Sequence, residues 1–230
     1  MKVIGLLGGM SWESTVTYYQ ILNRVINEKL GDLHSARLLL YSVDFQEIEW
    51  CQKQDQWNKS AIILSEAARA LEKGGADCLI ICTNTMHKVA DQIQKAISIP
   101  LLHIADMTVE ALKEVGLKKI GLLGTSYTME QDFYKKRIEA HNIQVIVPDT
   151  DDRIQINRII FEELCHGRIY PESKQIYLSV INRLKDKGVE GIILGCTEIG
   201  LLLNQKDTDV PLFDTTRIHA QKAALFALKS

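Results

Sequence analysis

The sequence predicts an α/β protein made of two similar lobes, each built around a parallel sheet. Two observations support this prediction. Apolar strand-like runs alternate with helical patterns along all 230 residues, and the same pattern starts again near the middle of the chain. Such alternation is typical of βαβ units, in which parallel strands are covered by helices on both faces.

The first half of the chain contains four strand–helix pairs in order. "KVIGLLG" is a short apolar run that ends in glycine, and "TVTYYQILNRVINEKLG" follows with helical spacing and a glycine stop. The strand "ARLLLYSVDF" precedes the amphipathic helix "SAIILSEAARALEKGGA". "DCLIIC" predicts a third strand and "MHKVADQIQKAI" its helix, while "IPLLHI" and "MTVEALKEVG" predict the fourth pair.

The second half repeats the first, which indicates an internal duplication. Three stretches match in order at offsets of 116, 113 and 111: 4–15 with 120–131, 76–85 with 189–198, and 99–112 with 210–223. We therefore expect one lobe from residues 1–98 plus 209–230 and the other from 99–208. A single sheet or an eight-unit barrel remains the alternative, because about eight strands are predicted and that count also suits a barrel.

Composition excludes several classes of function. The net charge is −2 and no basic block is present, so neither nucleic acid nor an anionic membrane is an expected partner. No apolar run approaches the roughly 20 residues of a membrane span, and no signal peptide is evident, so we expect a cytosolic protein. The cysteine count is five, and an odd number argues against a disulfide framework. The spacing of Cys78 and Cys82 does not suit zinc, and no metal site is expected.

Polar turns follow the predicted strands, and they predict where a ligand binds. "GGMS", "VDFQE" and "CTNT" follow strands of the first lobe, and "GTSYT" and "GCTE" follow strands of the second. Ligands of open α/β sheets bind outside the carboxyl ends of the strands. Two lobes that face each other would bring these turns around one cleft, which is the predicted site.

Cys196 is the strongest candidate for a reactive group. It follows the buried strand "GIILG" and precedes polar residues that could begin a helix. Backbone N–H groups and a positive helix end would favour its thiolate form. The alternative is a buried structural cysteine, which is our interpretation of Cys51, Cys78 and Cys165.

The corresponding turn of the first lobe places Thr83, not Cys82, opposite Cys196. Aligning the two motifs matches Thr83 with Cys196 and Cys82 with Gly195. Neighbours on a strand face opposite sides, so Cys82 is expected to point into its lobe when Thr83 faces the site.

Four further polar residues of these turns are candidate substrate contacts. Thr and Asn side chains with backbone N–H groups suit a carboxylate, and a glutamate suits an ammonium group. Helix N-capping is an equally supported interpretation, and both can hold together. These four residues are Asn84, Thr85, Thr197 and Glu198.

Three motifs together resemble the aspartate/glutamate racemase superfamily: "LLGGMSWEST", "TNTMH" and "GCTE". The resemblance covers essentially the whole chain and is strongest to the Thr/Cys-type racemases that act on L-aspartate and L-glutamate or on a wider range of amino acids. It implies two flavodoxin-like lobes, a homodimer, and an amino acid substrate handled without pyridoxal phosphate or metal. It also implies that Cys196 serves the L-enantiomer and that Thr83 replaces the usual first cysteine.

Other departures from the family pattern leave the substrate side chain open. The loop "SVDFQEIEW" lacks the usual Arg, and Cys165 stands where a Lys aligns. We therefore expect Gln52 to contact the substrate in place of these residues and Met10 to line the site. His87 of "TNTMH" could support the helix start or tune a proton transfer, and two other histidines, His103 and His219, are interpreted as packing residues.

Two alternative functions remain compatible with these residues. A relative with one cysteine, such as an arylmalonate decarboxylase or a maleate isomerase, would use Cys196 alone. A non-catalytic amino-acid-binding protein would use the same pocket without turnover. We expect the racemase, with Cys196 removing the α-proton of the L-substrate and Thr83 reprotonating the opposite face.

Overall fold

The computed structural model describes residues 1–229, which form two compact units. Unit 1 comprises Met1–Ile104 together with the chain from His219 onward, and unit 2 comprises Ala105–Ile218. Among the described residues, no helix is long and apolar enough to cross a membrane.

Unit 1 contains a three-stranded parallel sheet in the order β2-β1-β3. Ser11 accepts a hydrogen bond from the Ser14 N–H at the start of the first helix, and Gly31 ends that helix with a φ of 78°. The strands are β1 (Ile4–Gly8), β2 (Leu38–Ser42) and β3 (Cys78–Ile81), and the helices are α1 (Trp12–Leu30), α2 (Phe45–Lys53), α3 (Trp57–Lys73), a 3₁₀ turn (Thr85–Val89) and α4 (Ala90–Lys95).

Unit 2 contains a four-stranded parallel sheet in the order β5-β4-β6-β7. Its strands are β4 (Lys119–Gly124), β5 (Gln144–Ile146), β6 (Gly191–Gly195) and β7 (Leu212–Asp214). The remaining helices of the chain are α5 (Ile104–Glu114), α6 (Ser126–Glu130), α7 (Asp132–Glu139), α8 (Thr150–Glu162), α9 (Pro171–Asp186), α10 (Ile199–Leu202) and α11 (Thr215–Leu228), with 3₁₀ turns at Leu164–His166 and Gln205–Asp207.

The two sheets repeat one pairing scheme, as the internal duplication predicts. In unit 1, Ile4 pairs with Cys78, and in unit 2, Ile120 pairs with Gly191. The sequence offset of 116 relates Ile4 to Ile120, and the offset of 113 relates Cys78 to Gly191. The prediction of an α/β fold with two parallel sheets is confirmed, and the barrel alternative is wrong because the strands form two separate sheets.

Strand β3 is buried on both faces, so alternate residues pack against different helices. Cys78, Ile80 and Cys82 lie in one apolar cluster with residues of α1 and α11. Leu79 and Ile81 lie in the opposite cluster with residues of α3 and α4. Cys78 and Cys82 therefore lie on the same side of the sheet.

The unit boundaries differ from those expected from the repeat. The repeat predicts one lobe from 1–98 plus 209–230 and the other from 99–208, whereas the chain passes into unit 2 after Ile104 and returns to unit 1 at His219. The reason is strand pairing: β7 pairs with β6 in unit 2, and Leu101 bridges Leu79 in unit 1. Each of these segments therefore stays in the unit whose sheet it pairs with, and the chain passes to the other unit only after it.

Two local predictions also require correction. "IPLLHI" does not form a full strand, because only Leu101 makes an isolated parallel bridge. "SVDFQEIEW", treated as a loop, contains most of α2. The Asp44 side chain begins that helix by accepting a hydrogen bond from the Gln46 N–H.

Candidate active site

The turn after β3 carries the first group of predicted site residues. Thr83 and Asn84 follow the strand, and Thr85 begins the 3₁₀ turn. All three are buried, with exposed fractions of 9% for Thr83, 1% for Asn84 and 6% for Thr85. The His87 ring donates a hydrogen bond from Nδ1 to the Thr83 carbonyl oxygen at 2.8 Å. The backbone of Thr83 is therefore held by a side chain of its own turn.

Gln52 and Met10 lie in the same part of unit 1 as this turn. The Gln52 side chain is buried in α2 and donates from Nε2 to the Met86 sulfur at 3.0 Å. Met10 packs in one apolar cluster with Met86. Gln52 thus contacts Met86 from a position 34 residues away in sequence, and Met10 belongs to the same apolar cluster as Met86.

The backbone turn just before Met10 requires glycine at position 9. Gly9 has a φ of 91°, and a Cβ there would lie 2.3 Å from the Val43 carbonyl oxygen. Its N–H donates to Thr15 Oγ1 at 2.9 Å. The turn after β1 can therefore approach the turn after β2 only with glycine at this position.

The turn after β6 carries the second group, and its three side chains form one hydrogen-bonded set. Glu198 Oε2 accepts hydrogen bonds from the Cys196 thiol at 3.0 Å and from the Thr197 hydroxyl at 2.7 Å. Their exposed fractions are 7% for Cys196, 4% for Thr197 and 3% for Glu198. A carboxylate in hydrogen-bond contact with a thiol can accept its proton, which is the arrangement a cysteine base requires.

The electrostatic surroundings of Cys196 differ from those we expected. Burial raises the pKa of the Cys196 thiol well above its ordinary value, and the Glu198 charge raises that pKa further. The expected stabilisation by a helix end is small, because α10 contains only four residues. Burial and the neighbouring carboxylate therefore disfavour the thiolate form of Cys196.

Gly195 lets β6 lie close to β4 just before Cys196. A Cβ on Gly195 would lie 2.9 Å from the Leu123 carbonyl oxygen and 2.7 Å from Leu122 Cδ1. Side-chain atoms could move, but the carbonyl belongs to the neighbouring strand. The small residue before Cys196 therefore preserves the pairing that positions the thiol.

Cys82 lies in a different environment. It is fully buried in the apolar cluster of unit 1, and burial raises the pKa of its thiol strongly. Its N–H donates to the Leu7 carbonyl at 2.9 Å, and its carbonyl accepts from Ser14 Oγ at 3.2 Å. These contacts describe a packed structural cysteine.

Two neighbours of Cys196 were not identified as site residues from the sequence. Cys165 packs against the apolar cluster that contains Cys196, and the charge of a Cys165 thiolate would raise the pKa of Cys196. Burial raises the pKa of Tyr177, and charges on Cys196 and Glu198 raise it further. For position 165 a signal existed, because the family pattern places a Lys there, whereas nothing local in α9 indicates that Tyr177 lies near Cys196.

The part of the chain that the structure describes contains no cluster of metal-ligating side chains. Among residues 1–229, no group of three or more His, Cys, Asp or Glu side chains has a geometry suited to a metal ion. The histidines near Thr83 instead bond to backbone groups of unit 1.

Comparison with known proteins identifies the family. The sequence profile described as Asp/Glu/hydantoin racemase matches residues 7–223, which is nearly the whole chain. The chain belongs to this family. It is therefore an isomerase of the racemase type, as the three motifs predicted.

Individual relatives agree with this assignment. The chain is 26% identical over 220 residues to the broad-specificity amino-acid racemase of Bacillus subtilis, with 93% of each chain covered. A crystal structure from Yersinia pestis is 56% identical, with a TM-score of 0.92 and complete coverage of both chains. An aspartate racemase homologue from Pyrococcus horikoshii is 37% identical, with a TM-score of 0.87 and complete coverage of both.

Proposed function

We propose that this chain is a cofactor-independent amino acid racemase acting on L-aspartate and L-glutamate or on a wider range of amino acids. The observation that carries the proposal is the buried contact between the Cys196 thiol and the Glu198 carboxylate at the end of β6. The repeat equates this position with Thr83 at the end of β3, and the sheet registers follow the same offsets. In the proposal, Cys196 acts as the base for the L-substrate and Thr83 as the opposite acid.

The proposed reaction removes the α-proton from one face of Cα and adds a proton to the opposite face. Glu198 takes the thiol proton of Cys196, and the resulting thiolate removes the α-proton of the L-amino acid. The electrons of the broken C–H bond delocalise into the substrate carboxylate. Thr83 then donates its hydroxyl proton to the other face, and a water molecule replaces that proton. The hydroxide left by this water takes up the proton held on Glu198, so Thr83 and Glu198 return to their starting forms and Cys196 keeps the former α-proton as a thiol. A threonine hydroxyl is far less acidic than a thiol, so we expect a slow enzyme.

The substrate itself helps to form the thiolate. Burial and the Glu198 carboxylate raise the pKa of the Cys196 thiol. A bound ammonium group brings a positive charge, which favours the ionised thiol. Asn84, Thr85 and Thr197 are proposed to bind the substrate carboxylate. Since Glu198 already accepts two hydrogen bonds, its proposed part is to accept the thiol proton, in place of the ammonium contact expected from sequence.

Recognition of the substrate side chain is proposed to involve Gln52 and Met10. Gln52 is buried and directed at Met86, and Met10 belongs to the same cluster. An amide can hydrogen-bond a distal carboxylate or amide group, but it carries no charge. This uncharged contact suits acidic and neutral side chains alike, which is why the proposal includes a wider range of amino acids.

Exchange of the α-hydrogen tests this function directly. The purified protein is incubated in D₂O with each L-amino acid, and the products are separated on a chiral column and weighed by mass spectrometry. The proposal requires a D-enantiomer that carries one deuterium at Cα. Racemisation has an equilibrium constant of one, so kcat/KM must be equal in both directions. Absence of α-hydrogen exchange in every amino acid would refute the proposal.

The same preparation distinguishes the alternatives. Turnover of arylmalonates or maleate without amino acid racemisation would support a single-cysteine enzyme. Ligand-induced stabilisation by an amino acid without α-hydrogen exchange would support a binding protein.

We also propose that the chain forms a homodimer through one face of α1. Trp12, Val16 and Tyr19 recur at helical spacing, and their exposed fractions are 65%, 45% and 55%. A second copy is the expected partner, because large apolar side chains grouped in this way are typical of interfaces. Light scattering after gel filtration should give twice the chain mass, and Tyr19→Lys should give a monomer. The matched control is Ile62→Lys on α3, also an exposed site. A monomeric wild type, or an equal effect of the control, would contradict the dimer.

A further inference from the structure

Three histidine rings and one tyrosine lie together in the interior of unit 1. The ring centroids of His87 and His103 are 4.5 Å apart, and those of His87 and His219 are 5.9 Å apart. The Tyr18 ring lies edge-on to His219 at 5.6 Å. His87 is bonded to a proposed site residue, Thr83.

The hydrogen bonds of His87 determine which ring nitrogen carries the proton. A carbonyl oxygen can only accept, so Nδ1 must donate to Thr83 O at 2.8 Å. A backbone N–H can only donate, so Nε2 must accept from the Ile104 N–H at 3.2 Å. The ring is therefore neutral and protonated at Nδ1. With both nitrogens engaged by the backbone, His87 is not arranged to exchange protons with a substrate.

The effect of these bonds is to hold the end of β3. The Cys82 carbonyl accepts from Ser14 Oγ at 3.2 Å, and the next carbonyl, that of Thr83, accepts from His87. Two successive carbonyls just beyond the strand are thus bound by side chains from different segments. A hydroxyl that must deliver a proton to one face of a carbon atom needs a defined position, since an error of about 1 Å can cost about 100-fold in rate.

We propose that His87 is a positioning residue for Thr83, whose Nδ1–H bond to the Thr83 carbonyl holds the threonine hydroxyl where it can reprotonate the substrate. The inference rests on the proposed racemase function. It assigns His87 to one half-reaction only: delivery of a proton at Thr83, not removal of a proton by Cys196. This division makes the inference testable.

Two substitutions separate the two hydrogen bonds of the ring. The amide nitrogen of an asparagine side chain reaches about as far as a histidine Nδ1, so His87→Asn can keep the bond to Thr83. A glutamine side chain reaches about as far as Nε2, so His87→Gln can keep the bond to Ile104 and lose the one to Thr83. Both variants replace the imidazole ring with a side-chain amide, so they differ only in how far that amide reaches.

Two reactions separate the half-reactions. Racemisation of the best L-substrate requires both faces. Elimination from β-chloro-L-alanine requires only deprotonation: the Cys196 thiolate takes the α-proton, the C–H electrons form the Cα–Cβ double bond, and chloride leaves with the C–Cl electrons. The released 2-aminoacrylate reacts with water to give pyruvate and ammonium. No proton from Thr83 is needed.

The expected result is a selective loss. In His87→Gln, kcat for racemisation should fall by about 10- to 100-fold, because misplacing a reacting group by up to about 1 Å can cost about 100-fold in rate. KM should change little, and pyruvate formation should stay within about twofold of wild type. His87→Asn should racemise markedly faster than His87→Gln. Thermal melting of both variants confirms that they are folded at the assay temperature.

Other results would overturn the inference. A parallel fall of racemisation and elimination in His87→Gln would show that the ring only supports the fold. Equal racemisation rates in the two variants would show that the Nδ1 bond is irrelevant. A wild-type protein that neither racemises nor eliminates would instead refute the proposed function, and the inference with it.

Discussion

His219 should make unit 1 less stable in acid, and the size of this effect follows from its surroundings. Its Nε2 donates to the Leu102 carbonyl at 2.8 Å, and its Nδ1 accepts from the Tyr18 hydroxyl at 2.8 Å. The ring is fully buried. Burial lowers the pKa of His219 from 6.5 to about 4, although the Leu102 carbonyl opposes part of this shift. The unfolded chain therefore binds a proton at a pH where the folded protein does not.

The sign and magnitude follow from proton linkage. Stability is complete above the unfolded pKa of 6.5 and declines as the pH falls toward the folded value of about 4. For these two pKa values, lowering the pH from about 7.5 to about 4.5 should cost about 2.5 kcal/mol through this one group. The variant His219→Gln has no titrating group at this position, so its loss over the same interval should be smaller by that amount.

Urea unfolding followed by tryptophan fluorescence is the suitable assay. The chain has three tryptophans, at positions 12, 50 and 57, and all lie in unit 1 with His219. The free energy of unfolding is measured at both pH values for wild type, His219→Gln and the exposed control His34→Gln. The control should keep the wild-type difference. If His219→Gln loses as much stability as wild type, then His219 is not held neutral by burial and the reasoning is wrong.

Three further outcomes are expected. Replacing Glu198 with Gln should lower kcat about 100-fold or more, because an amide cannot take the Cys196 proton. Thr197→Val should lower kcat less. The kcat values of both variants are measured as pH–rate profiles. The Glu198→Gln profile should also shift to lower pH, since the Glu198 charge raises the Cys196 pKa. Gly195→Ala should cost about 1–3 kcal/mol of stability and should remove most of the activity. Gly191→Ala, at the other end of β6, should also lower stability but should leave the folded enzyme active. Equal activity losses in the two glycine variants, measured at a temperature where both are folded, would contradict the role given to Gly195.

The two parallel sheets and the alignment between the two halves of the chain could be predicted from the sequence, because both depend on local patterns. The apolar runs of β3 and β6 are short and end in polar turns, and their equivalence follows from a nearly constant offset between the two halves of the chain, which the strand registers match. Helix α2 was missed although a signal existed: Asp44 followed by Glu47 is the spacing of an N-terminal cap.

Other features could not be predicted because they depend on packing between distant segments. The Gln52–Met86 contact joins α2 to the turn after β3, and no local pattern specifies it. The high pKa of the Cys196 thiol arises from burial in the cluster of unit 2, which a motif cannot reveal. The crossing points after Ile104 and before His219 were misplaced because a repeat locates equivalent strands, not the helices that leave them.

The central claim is that Cys196 is the base and that Cys82 is a structural neighbour of the true partner, Thr83. The most direct test compares Cys196→Ala with Cys82→Ala in the formation of α-deuterated D-amino acid from the L-enantiomer in D₂O. The account predicts that Cys196→Ala abolishes this product, while Cys82→Ala, once shown to be folded, still forms it. Loss of product in folded Cys82→Ala together with its persistence in Cys196→Ala would contradict the account.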